Sequence, residues 1–152
     1  IKNGEFFTGK ATVLGNPTLY QVESIKADKH YQTLLVAEEM KEHHKVMVLD
    51  LVSGEVIKED LGNFNRGNDP EGIALVTNKD NGGYWICTEQ SKTDNRFHLY
   101  DRKTLEYMTT MYLDNVSYTD GIATAYMHGK WYLYAVDNDA RVVAFELPEI
   151  NS

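Results

Sequence analysis

The sequence predicts an all-β protein of about three four-stranded antiparallel sheets, and three observations carry that prediction. First, one unit recurs. "YQVESIKAD" (residues 20–28), "NDPEGIALV" (68–76) and "YTDGIATAY" (118–126) each place an acid before a small residue and then an apolar run. Their acids, Glu23, Glu71 and Asp120, lie 48 and 49 residues apart. Second, runs such as "KVMVLDL" and "WYLYAV" are short, β-branched or aromatic, and bounded by Gly, Asn, Asp and Ser. Third, no amphipathic helix of useful length is visible. Four short strands every 48 to 50 residues is the spacing of β-propeller blades.

The elements follow in chain order. Residues 5–14, within "EFFTGKATVLG", read as a lone outer strand belonging to a preceding blade. Residues 20–62 form one blade, in which "VSGE" is a tight-turn signal between neighbouring strands. Residues 69–114 form the next, and an incomplete blade over 119–147 stops after three strands at Leu147. The polar pieces "DKHYQ", "EMKEHHK", "NKDNGG" and "SKTDNR" supply the hairpin loops. Three blades cannot close a ring, since propellers typically need four to eight. Half of a six-bladed propeller is therefore expected. The other half would be upstream chain or, as the second option, another copy associating through exposed blade faces; an isolated monomer would show a large apolar patch. The chain opens at Ile1 with neither Met nor a signal-peptide pattern, so upstream sequence is expected.

Composition narrows the function. A net charge of −8 argues against nucleic acid and anionic membranes, which demand clustered Lys and Arg. No apolar run approaches the roughly 18 residues that suggest a transmembrane helix. The single cysteine, Cys87, excludes an internal disulfide.

The acids carry the chemistry. Glu23, Glu71 and Asp120 fall at the start of innermost strands, so three blades point acids into one funnel. Glu38, Glu39, Glu89, Gln90 and Asp137 end the following strand, which returns to the same face, and Asp69 joins them. Such a cluster repels itself unless pKa values rise, cations are buried nearby, or a metal binds. Oxygen donors without His or Cys favour Ca²⁺ over Zn²⁺.

"DPEGIAL", "GGYWICTEQSKTDNRFHLYDRKTLE", "TDGIA" and "LLVAEE" resemble the second half of the β-propeller phytases, over residues 15–147. The resemblance implies a six-bladed propeller, Ca²⁺ at the top of the channel, and hydrolysis of a phosphorylated small molecule such as calcium-phytate. It also implies a secreted, periplasmic or otherwise extracellular location. Carried over residue by residue, it makes Glu23, Glu38, Glu39, Asp69, Glu71, Gln90 and Asp120 metal or water-positioning ligands, with Glu71, Glu23 and Asp69 closest to the chemistry. A one-residue slip would exchange Glu39 and Glu89 with their neighbours. The family's phosphate-gripping cations belong mostly to the upstream half; Lys92, Arg66 and Arg96 are the cations near the relevant loops here.

Plainer readings stand beside these. Blade-top acids can cap turns, and Asp50 and Asp101 are read as turn caps. The His43–His44 pair reads as solvent-facing, His98 as a polar outer-face residue, and Cys87 as a buried small hydrophobe. Trp85 and Trp131 occupy matching positions that suggest packing between blades. Two alternative functions remain open: a non-catalytic binding module with structural calcium, and a propeller lactonase or esterase.

Overall fold

The computed structural model describes residues 11–65 and 67–149. Eleven strands form three antiparallel sheets, and no helix occurs among the described residues. The first sheet orders β1 (Val22–Asp28), β2 (Thr33–Glu38), β3 (Lys45–Asp50) and β4 (Val56–Lys58) side by side. The second does the same with β5 (Asp69–Thr77), β6 (Gly83–Gln90), β7 (Arg96–Asp101) and β8 (Tyr107–Tyr112). The third holds β9 (Ile122–Met127), β10 (Lys130–Asp137) and β11 (Arg141–Glu146). These are consecutive propeller blades, in which β1, β5 and β9 are innermost and pack side by side. Of the expected outer strand, residues 5–10 lie outside the described residues, and residues 11–14 form no strand.

The sheets stack through their faces. On β6, Trp85 and Cys87 point toward the first sheet and pack with Leu35, Ala37, Val46 and Val48. The alternating residues Tyr84 and Ile86 point the other way, toward Leu133 and Ala135 of the third sheet. Both faces of β6 are thus covered, and all six residues from Tyr84 to Glu89 are buried. Trp85 is fully buried between the first two sheets, and Trp131 packs at the next interface, where its indole N–H donates to Thr77 O at 3.0 Å. The expected packing role of both tryptophans holds, as does that of the fully buried Cys87.

The turn-capping roles of Asp50 and Asp101 also hold. Asp50 Oδ1 accepts the N–H groups of Val52 and Ser53 at 2.9 and 2.7 Å; Asp101 Oδ1 accepts those of Lys103 and Thr104 at 2.9 and 2.6 Å. The two turns superpose in sequence, "DLVSGE" on "DRKTLE". Their fifth residues share a left-handed backbone, at φ 74° for Gly54 and 60° for Leu105. Gly54 must also be glycine because an added Cβ would lie 2.6 Å from Gly15 N.

Two histidine expectations need correction. His98 is not on an outer face: it is 3% exposed, lies edge-on to Phe64, and its Nε2 sits 2.8 Å from Glu89 Oε2. A polar residue mid-strand suggested exposure, but a buried carboxylate one strand away supplies its partner. His43 and His44 are half-buried, not solvent-facing. His43 stacks on Tyr20 at 4.4 Å between ring centroids, and His44 Nε2 lies 3.1 Å from Asp69 Oδ1.

At the end of β1 away from its first acid, a buried ion pair clamps the first two sheets. Arg102 donates from Nε and Nη2 to both carboxylate oxygens of Asp28, at 2.6 and 2.9 Å. Its Nη1 also donates to Asn81 O and Gly82 O. Burial alone would raise the Asp28 pKa, but the guanidinium and backbone donors hold it below the ordinary value. That stabilisation is present above the unfolded-state pKa and is lost as pH falls through the folded one. Removing one partner of a buried pair strands the other, so Arg102→Ala should cost about 3–5 kcal/mol. Urea unfolding at neutral pH measures it, and a loss below about 1 kcal/mol, the level of an exposed pair, would contradict the clamp.

Candidate metal centre

Irregular backbone at the start of the inner strands aims the acids. The β1–β2 register shifts between Val22 and Ser24, and the β5–β6 register shifts between Pro70 and Ile73. Glu23 and Glu71 lie inside these shifts, where a bulge redirects a side chain. Glu39 follows directly after β2. One carboxylate oxygen from each of Glu23, Glu39 and Glu71 falls within 4.8 Å of the other two. The Ser24 hydroxyl donates to Glu71 O and ties β1 to β5 at this level.

The third sheet closes in through Gly72. A Cβ added there would meet Ile122 Cγ1 at 2.7 Å, Ile122 N at 2.9 Å and Asp120 O at 3.0 Å. Glycine therefore lets β9 approach until Asp120 borders the acid group. Gln90 Nε2 donates to Asp120 Oδ1 across the same junction.

Electrostatics follow from this crowding. The Glu71 carboxyl is pushed up to about 8 by burial, then by the charges of Glu39 and Glu23 and by Asp120. Glu23 is raised by burial and by Glu39. Asp120 is raised by burial, by Asp139 beside it, and by Glu23. Three carboxylates, from β1, from β5 and from the residue that follows β2, with no nitrogen or sulfur donor among them, match what a hard divalent cation takes. Bound there, such an ion would neutralise the repulsion and could polarise an oxyanion.

The remaining expected site residues fall outside this group of three. Glu38 is fully buried; it accepts the Tyr20 N–H at 2.8 Å and lies 4.0 Å from Lys45 Nζ. Asp69, half-buried, lies against His44 and is not one of the three clustered acids. Glu89 is also fully buried and accepts from Asn65, Asn68 and Arg96. Burial would raise its pKa, but His98 and the two asparagines hold it down at about 2. Asp137 is buried, accepts the Ser117 N–H at 2.9 Å, and is paired with Arg141. Arg96 is engaged by Glu89 at 3.3 Å and Asp94 at 2.5 Å, whereas Lys92 is exposed. Arg66 lies outside the described residues. Asp139 was missed as a neighbour of Asp120, although "AVDND" carries its signal.

The model of the family described as Phytase matches residues 6–136. The chain belongs to the phytase family. A comparison with curated proteins finds no significant match. Membership fits the all-β blades and the acid group, and points to phosphorylated substrates of the phytate kind.

Two outcomes follow from the geometry. A Glu71 pKa raised from 4.5 to about 8 means that its contribution to stability is full below 4.5 and lost as pH rises through about 8. In chelator, Glu71→Gln should therefore match the parent near pH 4 and exceed it at pH 9. Melting curves at both pH values check this, and equal stability at pH 9 would contradict the crowding. Gly72→Ala should cost about 1–3 kcal/mol by overpacking against β9, read by denaturant unfolding; a neutral result would mean that the strands are free to separate.

Proposed function

We propose that this chain supplies the acidic, calcium-holding half of a phosphomonoesterase site, acting on calcium-phytate or a similar polyphosphorylated small molecule. The observation that carries the reading is the meeting of Glu23 of β1, Glu39 just after β2 and Glu71 of β5 within 4.8 Å. Glu23, Glu39 and Glu71 would hold the ion, with Asp120 at the border. Calcium, when bound, neutralises phosphate charge and lowers the cost of bringing an anionic substrate to an acidic face. The carboxylates would orient a water for in-line attack on phosphorus, whose ester P–O bond breaks as the leaving alkoxide takes a proton. Asp69, ranked with Glu23 and Glu71 by resemblance, would act from the rim through its pairing with His44. The cations that grip phosphate would come from the other half of a six-bladed propeller, and a secreted or periplasmic setting would supply the calcium.

Calcium should raise the melting temperature. At a hundredfold excess over Kd the stabilisation is about 2.7 kcal/mol, or roughly 5–10 °C for a domain of this size. Glu71→Ala should abolish the rise. Superimposable curves in EDTA and excess calcium would end the proposal.

The engagement of Arg96 by Glu89 and Asp94 favours a second reading, a binding module with structural calcium. Phosphate release from calcium phytate by the completed propeller separates the two. Release supports the hydrolase; zero release with calcium bound and the fold intact supports the module.

A further inference from the structure

Glu38 and Glu39 are neighbours with opposite environments: the first is fully buried, the second half-buried and part of the acid group. Adjacent residues at a strand end face opposite sides, so only one of the two can reach the cluster. The buried one makes a contact that recurs once per blade. Glu38 Oε1 accepts the Tyr20 N–H at 2.8 Å, Glu89 Oε2 accepts the Asn65 N–H at 3.0 Å, and Asp137 Oδ1 accepts the Ser117 N–H at 2.9 Å. Each donor lies in the segment leading into its blade's inner strand. Each carboxylate also faces a cation paired with it in register at the start of the third strand: Lys45, Arg96 and Arg141 respectively. Three buried acids, three entering backbones and three cations repeat one device.

With the acid cluster read as the cradle proposed above, we infer that Glu38 is its positioning residue, not a ligand. By holding Tyr20, Glu38 fixes the chain that enters β1 two residues later. The adjoining Glu39 N–H then donates to Gln21 O at 3.0 Å, which closes the same end of the β1–β2 pair. Glu23 and Glu39, which flank this closure, are thereby held against Glu71. Release of Tyr20 would let the end of β1 fray and separate two of the three carboxylates. A residue that orients ligands from behind commonly changes metal affinity by about 10–100-fold when lost.

The test compares Glu38→Leu, Glu38→Gln, Glu39→Gln and Asp28→Asn by calcium titration calorimetry and by amide hydrogen exchange at Glu39. Glu38→Leu should weaken calcium binding about tenfold or more and speed exchange at Glu39. Glu38→Gln keeps an acceptor for Tyr20 and should stay near the parent in both. Asp28→Asn weakens the clamp at the opposite end of β1 and should move neither readout. A folded Glu38→Leu with parent affinity overturns the inference. So does Glu38→Gln if it loses as much affinity as Glu39→Gln, because Glu38 would then be a ligand. Should Glu38→Leu not fold, Glu38→Asp, one methylene too short to reach Tyr20, carries the same comparison. If the parent itself binds no calcium, the proposed function falls, and exchange at Glu39 alone decides the positioning role: unchanged exchange overturns it.

Discussion

Each sheet here is stable only because its face is covered by the next one, and that stacking determines where the acids go. Strand β6 makes the constraint visible: Trp85 and Cys87 serve one interface, Tyr84 and Ile86 the other. A shift of one residue would exchange the two sets. Fully burying one large apolar side chain contributes roughly 1.5–3 kcal/mol, so the alternation is strongly held. Once blades stack in the same sense, the starts of β1, β5 and β9 lie side by side. Glu23, Glu71 and Asp120 are thus neighbours although 48 and 49 residues separate them in sequence. The opposite end of the first interface can then carry the Asp28–Arg102 clamp, clear of the acids.

Stacking alone would space the acids by a blade width; local backbone brings them closer. The register shifts at Glu23 and Glu71 aim both side chains, and Gly72 removes the bulk that would keep β9 away. The consequence is a group of like charges in a partly buried place, which the fold tolerates by raising their pKa values. A divalent cation bound there would therefore compete with protons for one set of oxygens. A cluster of this kind is costly when deprotonated and empty, and that cost is what a bound cation would relieve.

The sequence was informative where one blade could be compared with another. The acid spacing, the strand runs and the capped turns at Asp50 and Asp101 recur, and recurrence distinguishes them from chance. Single-copy features were opaque. Nothing local joins Asp28 to Arg102, which lie 74 residues apart and meet only through stacking. His98 could not be paired with Glu89 before the β6–β7 register was known. The pair Glu38–Glu39 was ambiguous for a different reason. Both are acids at the same strand end, and which one faces the funnel depends on the phase at which the backbone leaves the strand. The same ambiguity at Glu89–Gln90 resolves the same way, with the buried member first.

That shared phase shows how a repeated scaffold becomes an asymmetric site. In every blade the buried acid at the end of the second strand receives a backbone N–H, and the following residue faces away from it. Those following residues are Glu39, Gln90 and Asn138. Only the first carries a charge. Gln90 instead donates to Asp120, and the Asn138 N–H donates to Ser117 O. Charge at the following position therefore concentrates on the first blade, beside Glu23 and across from Glu71, while the second position bridges toward the third blade. The scaffold can stay regular where each buried acid accepts the N–H of the chain entering its blade. The less buried neighbour is then free to differ from blade to blade, and one carboxylate against two amides is enough to place the densest negative charge off the repeat's own symmetry.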